Sequence, residues 1–546
     1  MTDEQNNEIN SKRFAAAPAS IFNDVIGPVM VGPSSSHTAA SVRIGYLLRC
    51  ICKNEPQQVV CEFSRFGSLA FCHTGQGTDM GLAGGLLGMT LEDERLCEAV
   101  ALARQAGLEI EFLITDEVFP HPNTYKVRAR GGERQFTALF VSCGGGMIWL
   151  RELNGIPLDI NGGYYETLFL LGLAGAEESF QALQELSALF PFYEDICLAG
   201  NGELGYIINI KSARPLNLAA FCLGQKDVAG CISLQAVRVA DIISLPAVLP
   251  VQSYKHYSGL FNTAAAIEEI AQAENISLAQ VALLYEARRG HITQDEVYAL
   301  MRRLLQVMRQ SLAKAKECPE YQDRILPPQA YLLATAPQFP NPVLNEAILN
   351  ITLLMEAKSA MLPIVASPTA GSCAALPGTI LGAAKILGKE EKAVTEALLA
   401  AGMIGILIAE HATFAAEIGG CQAECGAASG MAAAGLVQLM GGSVSQALNG
   451  AALALQNVFG LVCDPVASRV EAPCLGKNIM AGANALAMAQ IALAGFDALI
   501  PLDETIAALH EVGQKIDSTL RCTCQGGLSL TPTAQKIAKR LNMFNS

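Results

Sequence analysis

The stretch 417-EIGGCQAECGAASGMAAAG-435 decides the fold of the C-terminal half, and two further cysteines follow it, Cys463 in LVCDPV and Cys474 in EAPCLGKN. Cys463 lies 42 residues after Cys421, and Cys474 lies 11 residues after Cys463. These separations are too long for a CxxC knuckle, so a shared ligand role requires separate elements that the fold brings together. A three-thiolate iron–sulfur site with one open iron is one such arrangement.

Residues that end helices and strands accompany each of these cysteines, which predicts that all three thiols lie on turns or element ends. There, backbone N–H groups can donate hydrogen bonds to the sulfurs of a cluster. The alternative is three buried core cysteines, since free cysteine is among the most buried residue types and the chain contains 17. The accompanying residues are Gly419 and Gly420 before Cys421, Pro465 after Cys463, and Pro473 before Cys474.

The composition is typical of closely packed helices. The length of 546 residues suggests about three domains. Hydrophobic residues make up 51% of the chain, and the mean hydropathy is +0.32. Two apolar stretches, 400–409 and 481–501, are predicted as buried helices. The first is too short to cross a bilayer, and the second contains Gln490 and Asp497.

The charge and the N-terminal sequence exclude several classes of protein. The net charge is −14 and basic residues do not cluster, so we expect neither nucleic acid nor membrane as a partner. Residues 1–18 are polar, are predicted to be disordered and contain no signal-peptide core. Many cysteines without an export signal predict free thiols in a reducing cytoplasm.

The order of predicted elements divides the chain into three parts. Residues 20–134 are predicted as an α/β domain, residues 135–250 as a small α+β module, and residues 252–546 as a mainly α-helical domain. Predicted strands are 59–71, 108–114, 136–141, 148–153 and 205–210. Predicted helices start at Ser20 and Met80 and span 164–173, 180–189, 263–274, 277–289 and 293–316, with Ser20, Ser277 and Thr293 as N-caps.

A loop rich in hydroxyl groups, 32-GPSSSHT-38, precedes a predicted helix. Serine hydroxyls, backbone N–H groups and the positive end of the helix dipole together suit a bound carboxylate. The alternative is an ordinary capping loop, which needs one serine rather than three. A second hydroxyl-rich turn, 367-SPTAGSC-373, interrupts the helical C-terminal part.

These motifs resemble bacterial iron–sulfur L-serine dehydratases, with the β part first and the α part second. The resemblance covers about residues 20–535. It is carried, in order, by GPSSSHTA at 32–39, FGS to GTD at 66–79, HPNT at 121–124, SPTAGSC at 367–373, GCQAE at 420–424, CDPV at 463–466 with Pro473 and Cys474, and GGLSLTPT at 526–533.

The resemblance implies an L-serine ammonia-lyase that forms pyruvate and ammonia in amino-acid catabolism and gluconeogenesis. It implies a [4Fe-4S] cluster and no pyridoxal phosphate. Cys421, Cys463 and Cys474 would hold three irons, and the fourth would be left for the amino-acid substrate. It also implies an ACT-like regulatory role for the middle module, which could equally be inert scaffold, and a homodimer in the cytoplasm.

The resemblance further implies that two loops grip the substrate carboxylate. The residues are Ser34, Ser35, Ser36 and Thr38 in the first loop and Thr369, Gly371 and Ser372 in the second.

The resemblance leaves the general base open, because Gln76 stands where the family usually has a histidine, and an amide cannot accept the proton. His37 and His73 are the remaining candidates. Lys358 is a further one if burial lowers its pKa.

Two other functions stay open at this point. Gln76 and Leu362 motivate the same cluster chemistry on another β-substituted amino acid, such as threonine or cysteine. Loss of the usual histidine motivates a catalytically inactive paralogue that binds an amino acid or senses iron or oxygen. Cys522 and Cys524, in RCTCQGG, either approach the site or are loop thiols without a ligand role.

Overall fold

The computed structural model describes residues 18–53, 55–172, 174–218, 234, 237–254, 257, 260–317, 319–321 and 324–541. The predicted disordered lead therefore lies outside the described residues, apart from residue 18. The strands are β1 (Val29–Met30), β2 (Gln58–Ser64), β3 (Glu109–Thr115), β4 (Thr124–Gly131), β5 (Arg134–Gly144), β6 (Met147–Leu153), β7 (Ile156–Ile160), β8 (Tyr165–Gly172), β9 (Asp195–Asn201), β10 (Gly205–Ser212), β11 (Asp241–Leu245) and β12 (Ile364–Val365).

The α-helices are α1 (Ala40–Ile51), α2 (Leu69–Cys72), α3 (Thr78–Leu86), α4 (Ala99–Gln105), α5 (Ala176–Leu189), α6 (Ala264–Glu274), α7 (Leu278–Gly290), α8 (Gln294–Ala315), α9 (Ala330–Thr335), α10 (Pro342–Ser359), α11 (Ala375–Ile386), α12 (Glu391–His411), α13 (Ala416–Gly419), α14 (Cys425–Leu439), α15 (Val444–Gln456), α16 (Cys474–Leu493), α17 (Leu502–Lys515) and α18 (Pro532–Arg540). Short π-helical turns are Ile21–Val25 and Ser35–Ala39. The 3-10 turns are Glu94–Glu98, Ala370–Ser372, Cys421–Ala423, Val466–Ser468, Ser518–Leu520 and Gly527–Leu530.

The first part is built on a six-stranded sheet in the order β3-β2-β4-β5-β6-β7. Only β2 and β3 run parallel, and the other neighbouring pairs are antiparallel. Apolar residues of α1, α3 and α4 pack with the buried face of this sheet in one core. The predicted N-terminal α/β architecture is therefore confirmed.

The domain boundary predicted at residue 134 does not agree with this sheet. β4 and β5 are hydrogen-bonded from Thr124↔Val141 to Gly131↔Arg134, so the boundary would divide a hairpin. The sheet continues to the end of β7 at Ile160. The change of character after residue 135 reflects a change from crossover to hairpin connections within one sheet, rather than a new domain.

The middle part is a separate antiparallel sheet in the order β11-β8-β10-β9, with α5 packed against it. The predicted helix at 164–173 is wrong, because this segment is β8, a central strand. A short apolar run such as Leu168 to Leu171 fits a buried strand as well as a buried helix, and only its sheet partners decide between them.

The C-terminal part is mainly helical, as predicted. The N-caps at Ser277 and Thr293 are confirmed, since each side chain accepts a hydrogen bond from the backbone N–H three residues later. Stretch 400–409 lies inside α12, which is long and apolar enough to cross a membrane by length and composition, but 78% of its most apolar window is buried in the protein. This agrees with the predicted buried helix.

Ser20 caps the π-helical turn Ile21–Val25, as predicted, but this turn packs on the helical part rather than on the first sheet. A Cβ added to Gly402 of α12 would lie 2.8 Å from the side chain of Ile21, and a Cβ added to Gly405 would collide with the side chain of Val25. The glycines therefore let the N-terminal turn approach α12 closely, and the two parts share a core.

The strands β1 and β12 join the first and last parts of the chain. They form a two-stranded antiparallel ladder in which Val29 pairs with Val365 and Met30 with Ile364. The hydroxyl loop 34–38 and the turn 369–372 each follow one of these strands within a few residues. The ladder therefore brings the two hydroxyl-rich motifs together.

Candidate active site

The three predicted cysteines lie at the ends of elements, as their neighbouring residues suggest. Cys421 begins a 3-10 turn after α13, Cys463 lies in the extended segment after α15, and Cys474 is the first residue of α16. All three side chains are buried. The cysteines in the described part of the chain are free thiols.

Two polar side chains hold the cysteine segments in place. Gln422 donates to the carbonyl oxygen of Leu509 and accepts from the N–H of Gly460, so it fixes the Cys421 turn against its surroundings. Lys477 donates to the carbonyl oxygen of Val462 at 2.6 Å and to Asp464 at 2.8 Å. Its Nζ also lies 3.7 Å from Cys421 Sγ, so one cation binds the segments of two cysteines.

The thiols influence one another electrostatically. Hydrogen bonds with the thiols of Cys421 and Cys522, together with burial, raise the pKa of Cys463 well above its usual value. Burial raises the pKa of Cys474, which Lys358 opposes. Clustered thiols that disfavour one another's thiolate form suit a soft cationic group, whose charge stabilises the thiolates. The donor set therefore fits a bound iron–sulfur cluster.

Glu424 belongs to this site although it was not predicted from the sequence. One carboxylate oxygen lies with the sulfurs of Cys421 and Cys463 in a group whose ligand atoms are all within 4.8 Å of one another. Burial raises the pKa of Glu424 to about 7, with a further contribution from Glu417. Its position three residues after Cys421 was the available signal, because residues three apart share a face of a helical turn.

The turn 369–372 meets this carboxyl group. Thr369 Oγ1 donates to Glu424 Oε1 at 2.6 Å. A Cβ on Gly371 would lie 2.8 Å from the same oxygen, so only glycine leaves room for the carboxylate. Ser372 points into its own turn, where its hydroxyl donates to the carbonyl oxygen of Ser367 at 3.1 Å. Of the three predicted residues in this turn, Thr369 and Gly371 thus contact Glu424, and Ser372 holds the turn.

The serine loop faces the turn from the other side. The hydroxyls of Ser34 and Ser36 lie 3.1 and 3.0 Å from His37 Nδ1, and Ser36 donates to Glu417 Oε1 at 2.8 Å. Ser35 Oγ accepts from the N–H of Ala370 at 3.2 Å, a direct contact between the two predicted loops. All of these side chains are buried.

Thr38 has a different role from the serines. Its hydroxyl donates to the main-chain oxygen of Gln76 at 2.8 Å. It packs beside Gly77, where a Cβ would lie 2.5 Å from Thr38 Oγ1. Thr38 therefore holds the loop that carries Gln76, rather than facing the serine hydroxyls.

The hydrogen-bond network assigns the tautomer of His37. The Cys72 thiol donates to the carbonyl oxygen of Ser68 at 2.9 Å, so its sulfur is left to accept from His37 Nε2, which is 3.1 Å away. The lone pair then resides on Nδ1, toward Ser34 and Ser36. Burial lowers the pKa of His37, although Glu417 opposes this. His37 is therefore a neutral imidazole with its basic nitrogen in the site.

The other two candidate bases lie in different surroundings. His73 Nδ1 is 2.6 Å from Asp79 Oδ1, and its ring packs with Phe63 and Phe112 at centroid distances of 5.4 and 5.5 Å. Lys358 is fully buried, and its Nζ donates to the carbonyl oxygen of Val470. Of the three candidate bases, His37 is the one whose side chain contacts the serine hydroxyls.

The fold and this centre define a two-part enzyme in which an α/β part contributes hydroxyls and an imidazole, and a helical part contributes thiols and a carboxyl group. The sequence models of two families match the chain: "Serine dehydratase beta chain" over residues 21–152 and "Serine dehydratase alpha chain" over residues 273–529. The chain belongs to the serine dehydratase family, with the beta and alpha parts fused in one polypeptide.

Individual relatives agree with this assignment. A probable L-serine dehydratase alpha chain of Bacillus subtilis is 35% identical over 287 residues, which cover 52% of this chain and 95% of that protein. The L-serine dehydratase alpha chain of Peptoniphilus asaccharolyticus is 35% identical over 285 residues, or 51% of this chain and 98% of that protein. A probable L-serine dehydratase beta chain of Bacillus subtilis is 42% identical over 145 residues, or 27% of this chain and 64% of that protein.

Proposed function

We propose that the chain is an iron–sulfur-dependent L-serine ammonia-lyase that converts L-serine to pyruvate and ammonia. The observation that carries this proposal is the group formed by the buried thiols of Cys421 and Cys463, with the Cys474 thiol near enough to act on Cys421 electrostatically, beside two hydroxyl-rich loops and a neutral imidazole. When bound by these thiolates, a [4Fe-4S] cluster supplies a Lewis-acidic iron that assists departure of the substrate hydroxyl.

Two groups of the site suit the charged ends of an amino acid. The hydroxyls of Ser34 and Ser35 can reorient to donate to the substrate carboxylate, and no backbone change is needed. Glu417 is buried, and its Oε2 has no hydrogen-bond partner among the described residues. A buried acceptor of this kind is costly unless it is paired, so the substrate ammonium group is its partner in the complex.

His37 Nδ1 accepts the proton from the α-carbon. It carries the lone pair, and Glu417 Oε1, 3.6 Å away, stabilises the imidazolium that forms. Glu424, with a pKa raised to about 7, donates its proton to the departing hydroxyl, which leaves as water. The resulting aminoacrylate tautomerises and hydrolyses to pyruvate and ammonia.

Pyruvate release by protein purified and reconstituted without oxygen tests this function, with an aliquot exposed to air beside it. We expect pyruvate from L-serine only in the anaerobic sample, and no effect of borohydride, which inactivates pyridoxal phosphate enzymes. A sample with four irons per chain but no pyruvate would contradict the serine assignment. The same sample is then tested with threonine and cysteine, and turnover of neither would favour the inactive, sensing paralogue.

We also propose that the enzyme acts as a homodimer in the cytoplasm, in amino-acid catabolism that feeds gluconeogenesis. The middle module, with its ACT-like α+β composition, would bind a regulatory amino acid. Sedimentation of the reconstituted protein, and titration of its activity with amino acids that are not substrates, test these two points.

A further inference from the structure

A cavity of about 360 Å³ lies where the three parts of the chain meet. Its walls come from the N-terminal turn and α1, from the segment that follows β11, and from α8 of the helical part. Most of the described residues that line it are apolar, among them Phe22, Ile26, Leu249 and Leu304, and neither hydroxyl-rich loop contributes to this lining. A cavity of this size is in the range that holds small organic molecules.

Arg43 is the buried charged residue of this wall. Its side chain is 3% exposed, and burial lowers its pKa to about 10, although the charge of Asp24 opposes this. The guanidinium forms no ion pair with a carboxylate of the described residues. A buried cation without a close counter-ion is costly. Its position at the wall of a cavity therefore indicates an anionic ligand.

One edge of the Arg43 guanidinium is open. Nη1 donates to the carbonyl oxygen of Gly146 at 2.5 Å, whereas Nε is buried and has no hydrogen-bond partner among the described residues. Those residues accept no hydrogen bond from Nη2 either. A carboxylate can bind the side of a guanidinium formed by Nε and Nη2 with both of its oxygens, through two parallel hydrogen bonds. The open edge of Arg43 therefore matches a carboxylate.

The other charged residues of the cavity indicate which kind of carboxylate. Glu92 and Arg303 line its solvent side, where both are exposed and form an ion pair at 3.4 Å. Glu92 is the only carboxylate in the described lining, and it is already paired. An ammonium group brought among the apolar walls would be left without an acceptor, which is costly. The cavity therefore suits a carboxylate with an apolar body rather than a zwitterionic amino acid.

The walls also belong to segments that lead to the two hydroxyl-rich loops. α1 continues directly from the turn Ser35–Ala39. Beside the β1–β12 ladder, the Gly27 N–H donates to the carbonyl oxygen of Ala366 at 2.9 Å, and the Ala366 N–H donates to that of Pro28 at 3.1 Å. A ligand held against α1 and residues 27–29 would stabilise the junction from which both loops extend.

We propose that this cavity binds a small aliphatic carboxylate, whose two oxygens accept hydrogen bonds from Nε and Nη2 of Arg43 and whose hydrocarbon part packs among the apolar walls. Binding is reversible and makes no covalent bond. The inference concerns a site outside the thiol centre, so it does not depend on the proposed lyase function.

Calorimetric titration of the full, anaerobically reconstituted chain with isocaproate tests the site. We expect one binding site per chain, and an apparent Tm that rises with the isocaproate concentration. Arg43→Gln should weaken binding about 10- to 100-fold, because it removes a pair of charge-assisted hydrogen bonds. Arg302→Gln is the matched control and should bind as the unaltered chain does, since Arg302 lies on α8 outside the described lining and pairs with Glu391.

A second variant keeps the guanidinium and removes the space. Leu304→Trp should fill the cavity and abolish binding, so it also tests the site should Arg43→Gln fold poorly. Binding of isocaproate by Leu304→Trp as tightly as by the unaltered chain, or no binding by the unaltered chain, would overturn the site.

Two further probes test the class of ligand. Isocaproamide has the shape of isocaproate without its charge, and leucine is isocaproate with an added ammonium group. Each should bind at least about tenfold more weakly than isocaproate, because one lacks the charge and the other brings an unpaired cation. Equal affinity for isocaproamide would show that Arg43 does not bind the carboxylate, and equal affinity for leucine would overturn the preference for an acid without an ammonium group.

Discussion

Two glutamates of this protein, the buried Glu166 and the half-buried Glu424, each have a pKa that desolvation raises to about 7, yet they lie in very different surroundings. Glu166 is on β8 of the middle sheet, directly opposite Lys211 on β10, and the two side chains form an ion pair at 3.5 Å. Glu424 faces the Thr369 hydroxyl and two thiols, which come from three separate segments of the chain.

Comparing the two residues shows which carboxyl groups with a raised pKa indicate function. A raised carboxyl pKa is common to structural and catalytic groups, so it does not distinguish them alone. Glu166 has its cation within the same sheet, which is how a buried charge is normally compensated. Glu424 instead contacts one neutral hydroxyl and two thiols, while Lys358 and Lys477 act on it electrostatically, and this arrangement suits proton donation and metal binding. The predictions below test this contrast.

The largest difference is expected between two cysteines. Cys463→Ser should abolish the cluster and reduce pyruvate formation to background, because its thiolate is one of the proposed ligands. Cys197→Ser, on β9 of the middle sheet, should leave both unchanged. Iron and acid-labile sulfide content, measured after identical anaerobic reconstitution, check the prediction. Equal iron content in the two variants would show that Cys463 is not a ligand of the cluster.

The two histidines of the α/β part should differ almost as strongly. His37→Ala should lower kcat by about 10²- to 10⁴-fold, the usual contribution of a general base. His73→Ala should lower kcat far less, since its ring is bound to Asp79 and packed on Phe63. Steady-state kinetics at matched iron content measure both, and a larger loss for His73→Ala would reverse the assignment of the base.

Substitutions of the two glutamates should have different effects on the pH dependence of kcat. As the proposed general acid, Glu424 must be protonated, so kcat should fall as the pH rises through about 7. Glu424→Gln should lower kcat by about 10²-fold and remove this alkaline limb. Glu166→Gln should keep the profile of the unaltered chain. The alkaline limb surviving in Glu424→Gln would show that another group donates the proton.

The smallest effect concerns Glu166 and the stability of the fold, which is measured by thermal unfolding rather than by enzyme activity. The pKa of Glu166 is raised in the folded state, so its favourable contribution is complete below the unfolded pKa of 4.5 and is lost as the pH rises through about 7. The loss amounts to about 3 kcal/mol. Glu166→Gln should flatten the decrease in the apparent Tm between pH 5 and 8, as followed by thermal unfolding. An identical decrease in the variant would contradict this account.

Local sequence patterns predicted much of the molecule because their causes are local. Ser277 and Thr293 cap their helices through bonds to the backbone three residues away. The residues beside Cys421, Cys463 and Cys474 end helices and strands, which is why these thiols lie at element ends.

The errors arose where a distant partner decides the structure. Segment 164–173 is a strand because β10 and β11 pair with it, and nothing in its own apolar run records those partners. The boundary at residue 134 failed for the same reason, since the hydrogen bonds of β4 to β5 cross it.

The sequence by itself determined the family, the three cysteines, the hydroxyl-rich loops and the helical character of the C-terminal part, since motifs, caps and chain breakers act over a few residues. Only the tertiary structure decided that His37 rather than His73 contacts the serine loop, and that Glu424 and Cys522 join the thiols. These contacts link segments up to 446 residues apart, as between Gln76 and Cys522. Such distances close through the β1–β12 ladder and the shared helical core, which no local pattern encodes.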